Sequence, residues 1–256
     1  MAPMLDSLSA EIENELGELL TPSTPLKMIA SHDLALDLLR ERFNSNAETL
    51  LNVQYRGSLD AVRQLVANHC EIAGYHVPER ASVGQIESGF SRLMPIETYQ
   101  SIHFATRRQG LMVAKGNHHA INKVADLVGS GLRFLNRQRG SGTRLLFDEL
   151  LADAGVEASE IAGYEAEEFT HLAVAAMLAS GAADVGFGVQ AAAERFDLGF
   201  KPLIQEVYLL AVRKADLETA WCQTLLRTLR QDGQLRDQIG ALSGYDCHRM
   251  GQLVNR

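Results

Sequence analysis
The chain has 256 residues, 46% hydrophobic and 22% charged with six prolines, which describes a folded globular protein of one large or two small domains. Its formal charge of −8 argues against a broad nucleic-acid-binding face, although a local arginine cluster still holds small anions at contact distance. The three cysteines, Cys70, Cys222 and Cys247, stand far apart without a CxxC pair, so the spacing suggests neither a disulfide framework nor a thiolate zinc site, and favours a reducing compartment.

From the N-terminus, Leu5, Leu8, Ile12, Leu16, Leu19 and Leu20 recur at three- and four-residue steps among Glu11, Glu13, Glu15 and Glu18, the pattern of an amphipathic helix. Thr21-Pro22-Ser23-Thr24-Pro25 breaks it. Residues 1–25 therefore read as a helix and linker, either packed on the chain's own domain or connecting to another. The first residues lack a basic segment followed by an apolar one, and no stretch is apolar for the ~18 residues a membrane span needs. The expected location is cytoplasmic, or periplasmic if an upstream signal peptide has been removed.

Residues 26–30 predict a strand and 33–43 a helix entered through Ser31. A second strand over 50–55 passes through Gly57-Ser58 into a helix over 59–67, and a third strand follows at 70–77. Repeated strand–helix units imply a mainly parallel sheet covered by helices. The stretch 82–100, with Gly84, Gly89 and Pro95, reads as loop with a short helix. After a strand over 102–114 the alternation restarts: strand 132–135, helix 141–154, strand 161–166, helix 170–179 and strand 183–188. A long strand at 202–212 and a helix over 216–242, broken near Gly233, complete the chain. The expected fold class is α/β, two lobes built on two mixed, mainly parallel sheets with a cleft between them. Two chain crossings give lobe I as 26–108 plus 207–256 and lobe II as 109–206. An inter-lobe cleft is a usual place for a small ligand.

The run Asn136-Arg137-Gln138-Arg139-Gly140-Ser141-Gly142-Thr143-Arg144 joins a strand to a helix through a glycine- and hydroxyl-rich turn. Backbone N–H groups of the helix start, the positive end of its dipole, the hydroxyls of Ser141 and Thr143 and the charges of Arg137, Arg139 and Arg144 can converge there on one anion. The plain alternative is a serine N-cap beside surface arginines. Ser31 and Ser58 occupy the same strand-to-helix place in two other units, which favours a shared anion site. Gly57, Gly140 and Gly142 let the backbone approach it.

Eight short phrases in order resemble one family. They are Ser31-His32-Asp33-Leu34-Ala35-Leu36, Tyr55-Arg56-Gly57-Ser58-Leu59, Ile72-Ala73-Gly74-Tyr75-His76, Arg108-Gln109-Gly110-Leu111 with Gly116-Asn117, the run from Asn136 to Arg144, Gly163-Tyr164, Thr170-His171-Leu172-Ala173-Val174-Ala175, and Gly181-Ala182-Ala183-Asp184-Val185-Gly186. The resemblance is to the type 2 periplasmic-binding-protein-like domains associated with LysR-type and other helix-turn-helix regulators and with molybdopterin and molybdate proteins. It covers residues 26–212. It implies a two-lobed domain that binds and senses a small anion, a molybdate- or tungstate-like oxyanion or a molybdopterin-type ligand. The implied role is the effector-binding part of a transcription regulator, or alternatively a free-standing solute-binding protein of an ABC-type anion transporter. The implied partners are the anion, DNA only through a domain outside this chain, no membrane, and a second copy in a homodimer. No cofactor is implied beyond the oxyanion.

Among individual residues, His32, Asp33 and His76 are hydrogen-bonding candidates at the cleft, and Tyr164, Thr170 and His171 secondary ones in the second lobe. Of the arginines, Arg139 or Arg137 is expected to meet the ligand. Tyr208 reads as packing. No metal ligand set is assigned, because neither His32, His76 and His171 nor His118-His119 has convincing spacing. The G-x-S-x-G elbow is absent around Ser141, where the run is Arg139-Gly140-Ser141-Gly142-Thr143, so no catalytic residue is assigned and no enzyme is expected.

Overall fold
The first half of the computed structural model is organised by three parallel strands, β1 (Leu26–Ala30), β2 (Leu51–Tyr55) and β3 (Ile72–Pro78). Residues 25–46, 49–79 and 84–254 are described; the helix and linker expected before residue 25 lie outside them. β1 lies between the other two, with Ala30 opposite both Tyr55 and Gly74. That register brings the ends of β1 and β2 side by side, so the turns after them, 31–33 and 56–57, open onto one edge. Helices α1 (Leu34–Asn46) and α2 (Ser58–Val66) leave from those turns.

Two 15-residue strands, β4 (Tyr99–Val113) and β8 (Gly199–Arg213), run antiparallel from Tyr99 opposite Arg213 to Val113 opposite Gly199. Each belongs to both halves. β3 pairs with the C-terminal part of β8, while β7 (Val185–Val189) pairs with the C-terminal part of β4. β5 (Phe134–Arg137) lies parallel to β7, and the two-residue β6 (Glu167–Glu168) lies parallel to β5. The strand order is β2-β1-β3-β8-β4-β7-β5-β6. The two mixed sheets expected from the sequence are thus joined through the β4–β8 pair into one curled ribbon. The remaining helices are α3 (Gly84–Leu93), α4 (Gly142–Asp153), α5 (His171–Ala179), α6 (Gln190–Arg195), α7 (Ala220–Gln231) and α8 (Gly233–Gly240). Short strands β9 (Tyr245–Asp246) and β10 (Leu253–Val254) return the chain to β4.

Strand alternation decides which core each side chain joins. Met28 packs with Leu36, Leu39, Phe43 and Phe104 on one face, while its neighbour Ile29 packs with Val62, Leu65 and Phe90 on the other. In the second half Phe134 joins Phe147 and Phe187, and the adjacent Leu135 joins Val174, Leu178 and Val189. Each sheet half is therefore covered on both faces, which fixes the strand ends that carry the cleft.

Two local readings change, the strand over 161–166 and the helix after β7. Residues 161–166 form turns rather than a strand, because Gly163 has φ +85° and sits so close to β5 that a Cβ would lie 2.3 Å from the Phe134 carbonyl oxygen. The short helix expected within 82–100 is the ten-residue α3. α6 follows β7 without an intervening turn and was not foreseen. The break expected near Gly233 falls at Asp232, whose carboxylate accepts from the Leu235 N–H at 3.0 Å and starts α8.

Candidate functional site
Parallel register in both halves points strand ends and helix N-termini at one cavity of about 270 Å³. Ser31, His32, Tyr55, Arg56, Gly57 and His76 line it from the first half. Arg137, Gln138, Ser141, Gly142, Thr143, Phe169 and Thr170 line it from the second.

Arg137 ends β5 and is only 3% exposed. Its Nε donates to the Glu168 carbonyl at 3.3 Å and its Nη2 to the Phe169 carbonyl at 2.8 Å, while Nη1 has no partner. Among the described residues no carboxylate pairs with it. Burial, reinforced by Arg107, pushes its guanidinium down to about 10. Among the described residues the site accordingly contains a desolvated cation with one unused donor and no counter-charge.

The nearest buried carboxylates are committed elsewhere. Arg107, fully buried on β4, donates to Asp33 through Nη1 and to Glu206 through Nε at 3.1 Å. Tyr245 donates to Asp33 at 3.0 Å, and Gln109 donates to Glu206. Arg107 and Glu206 are cross-strand partners of the β4–β8 pair. This network lies beneath the cleft and reaches the second half at Thr143, whose hydroxyl is 3.5 Å from Gln109 Nε2. Burial alone would push the Glu206 carboxyl up; His76, Arg107 and Gln109 outweigh it and hold it below the usual range.

Ser31 Oγ lies 2.9 Å from His76 Nδ1, and Ser58 Oγ 3.4 Å from the same nitrogen. Tyr208 is more than packing, since its hydroxyl donates to the Ser31 carbonyl at 2.6 Å. His76 Nε2 is unpartnered and 3.8 Å from Glu206 Oε1. Burial pushes His76 down to about 4 against the pull of Glu206, so its ring is neutral near pH 7. Burial also lowers His32, whose Nδ1 is buried without a partner, and takes His171 well below the ordinary value.

The hydroxyls at the helix starts serve two ends at once. Ser141 Oγ accepts from the Arg144 N–H at 3.2 Å, and Thr170 Oγ1 accepts from the Ala173 N–H at 3.0 Å. A hydroxyl used as an acceptor keeps its own hydrogen to donate. The N-cap of α2 is Gly57, which supplies no capping side chain, so that helix start has N–H groups to offer a ligand.

Of the residues selected from the sequence, Ser31, His32, Gly57, His76, Arg137, Ser141, Gly142, Thr143 and Thr170 meet at the cavity wall. Asp33, Ser58 and His171 are buried behind it. Arg144 lies over the Tyr164 ring at 4.0 Å, with its Nε 3.2 Å from Asp148, so both residues brace α4 from outside the cavity. Arg139 points away: its side chain is 73% exposed and paired with Glu165 at 2.5 Å. Gly140 makes the turn, at φ +80°.

Sequence reasoning did not select the wall residues Tyr55, Arg56, Gln138 and Phe169, nor the Arg107–Glu206 network. The signal for the first four was their adjacency to selected residues. For Arg107 no signal set it apart from its neighbour Arg108 in a strand that also carries His103, Thr106 and Gln109. Among the described residues no group of three or more His, Cys, Asp or Glu is placed to hold a metal, and no helix is long and apolar enough to cross a membrane.

A family model described as a PBP superfamily domain matches residues 40–230. The Bacillus subtilis protein YvgK is 31% identical over 249 residues, covering 95% of this chain and 78% of that protein. Among solved structures, the tungstate ABC transporter from Geobacter sulfurreducens superposes with a TM-score of 0.61 at 15% identity, over 85% of this chain and all 100% of that one. The regulatory domain of MetR, a LysR family regulator from N. meningitidis, does so with a TM-score of 0.58 at 13% identity, over 87% and 99%. An ABC-type phosphate transport receptor from Vibrio cholerae gives 0.56 at 15% identity, over 83% and 97%. At such identities the likeness is one of fold.

Proposed function
Because the chain belongs to the PBP superfamily of ligand-binding domains, we propose that its cleft binds and senses a small anion, of the molybdate- or tungstate-like oxyanion or molybdopterin type. The observation that carries this reading is Arg137, a cation 3% exposed whose Nη1 lacks a partner. Burying an unpaired charge is costly, and an anion in the cleft removes that cost. The Ser31, Ser141 and Thr143 hydroxyls and the N–H groups at the starts of α2 and α4 complete a cradle of donors.

Closure is the signal in this proposal. An anion held from both halves binds the closed form more tightly, so it shifts the population toward closure by its differential affinity. The lobe boundaries belong to the same proposal: 26–108 plus 207–256 against 109–206, with the crossings in β4 and β8. A DNA-binding domain outside this chain, or a second copy in a homodimer, would read that change. The alternative is a free-standing solute-binding protein of an ABC-type anion transporter. Fractionation of the source cell separates the two, since the regulator reading requires the cytoplasm.

Ser31 beside His76 superficially suggests a nucleophile and base. We read the pair as binding machinery, because the carboxylate on the far side of His76 is 3.8 Å away and already committed to Arg107. Turnover of phosphate or carboxylate esters that Ser31→Ala abolishes would overturn this. The anion reading is tested by a thermal-shift screen of molybdate, tungstate, phosphate and sulfate, in which a true ligand raises the melting temperature with concentration. No shift with any of them, nor with phosphate esters, would reject it.

A further inference from the structure
The cleft is larger than a bare oxyanion needs. The cavity of about 270 Å³ is many times the ~10–15 Å³ that a single water-sized sphere occupies on that measure. An oxyanion on Arg137 leaves the part of it lined by Phe169 and Tyr55 unfilled.

The lining of that remaining space is aromatic. Phe169 is 68% exposed and Tyr55 40% exposed, and both face the cavity. The His32 ring lies against Tyr55 at 5.0 Å between centroids, and burial keeps it neutral near pH 7. Its Nδ1 is buried with no partner. The Phe169 carbonyl accepts from Arg137 Nη2 at 2.8 Å, so the ring is tethered next to the guanidinium that takes the anion. A phenyl ring left 68% exposed at a cavity wall loses apolar hydration only when something flat covers it. Arg56, the other cation at the wall, is exposed and faces Asp60 at 3.9 Å, which leaves this part of the cavity without a strong demand for a second negative charge.

Resting on the reading of the cleft as an anion site, we propose that its ligand is an organic anion with a flat aromatic body, the anionic group on Arg137 and the ring against Phe169 and Tyr55. His32 Nδ1 then meets a polar atom on the ring edge. The anionic end gives affinity through charge-assisted contacts, and the aromatic wall selects against free inorganic oxyanions that leave it uncovered.

The test is calorimetric titration of the full chain with inorganic phosphate, molybdate and phenyl phosphate, repeated on Phe169→Ala and on Arg137→Gln. Phe169 is exposed, so its variant should keep the wild-type melting temperature without ligand. The expected result is phenyl phosphate binding about tenfold more tightly than phosphate, with Phe169→Ala erasing that advantage while leaving phosphate unchanged. Phosphate or molybdate binding as tightly as phenyl phosphate, or Phe169→Ala weakening all three alike, would overturn the aromatic-ligand proposal and leave the anion reading standing. If none of the three, nor tungstate or sulfate, binds the wild-type chain, both fall.

Discussion

Arg137 puts function and stability in opposition. A buried guanidinium without a carboxylate destabilises the empty fold, so Arg137→Gln should leave the unliganded protein at least as stable to urea as wild type while losing the ligand-induced rise in melting temperature. A fall in unliganded stability would show that its two backbone hydrogen bonds outweigh the buried charge. Arg107 is the opposite case, because Asp33 and Glu206 both depend on it. Arg107→Ala strands two buried carboxylates and should cost about 3–5 kcal/mol of unfolding free energy. His76 sets a pH dependence whose sign follows from its direction of shift. Its folded value is about 4, against about 6.5 for the unfolded chain. Between those values the unfolded chain binds more protons, so stability falls as pH drops from 6.5 to 4, by up to about 3 kcal/mol, and this contribution levels off below. The groups that set the shift around it are Glu206, Arg107, Asp33 and Arg137. Urea unfolding at pH 7 and pH 4.5 should show this loss in wild type and a smaller one in His76→Gln; equal losses would assign it to other groups. At this scale the sequence was legible where residues sat at strand-to-helix junctions, as Ser31, Gly57 and Ser141 did. It was silent on Arg107 and Glu206, which are 99 residues apart and meet only through the β4–β8 register.

Elements bring the two walls into direct contact through glycine. A Cβ on Gly57 would lie 2.6 Å from the Gly140 carbonyl oxygen, and one on Gly142 would lie 2.1 Å from His76 Nε2. The start of α2 therefore closes on the turn before α4 only because Gly57 lacks a side chain there, and the start of α4 closes on His76 only because Gly142 does. Gly57→Ala should hold the walls apart. It should weaken anion binding by the ~1–3 kcal/mol typical of overpacking a tight contact, about 5- to 150-fold, with a larger radius of gyration by X-ray scattering. Unchanged affinity and radius would mean that closure does not need this contact. Apolar periodicity revealed most helices and strands, whereas α6 escaped because Val189 passes into it with no turn residue to announce a change. The expected strand over 161–166 failed for the converse reason. Its apolar residues flank Gly163, whose positive φ turns the chain; the Ala162 and Ala166 carbonyls accept from the Phe134 and Asn136 N–H groups, but only Glu167 and Glu168 pair with β5 as a strand.

At the scale of the whole molecule, two 15-residue strands carry the chain between halves that each have their own cores. In the proposed closure that connection is the hinge, and the Arg107 network bridges β4 and β8 within it. The two-lobed α/β class was readable from repeated strand–helix units, but the aromatic wall was not, since Phe169 in sequence is only one more apolar residue. The formal charge of −8 also bears on the proposed binding, since the molecule as a whole would repel the anion proposed for its cleft. Salt screens that long-range repulsion within a Debye length of about 8–10 Å, so the association rate of a dianion should rise on going from low to moderate ionic strength. Stopped-flow measurement of a falling rate would place attraction ahead of repulsion. The most direct test of the central claim is calorimetric titration of wild type and Arg137→Gln with molybdate, tungstate, phosphate and phenyl phosphate. The account predicts saturable one-to-one binding of at least one of them, weakened roughly 10- to 150-fold in the variant, the worth of one charge-assisted contact. Binding of equal strength in the two proteins, or none in wild type, would contradict it.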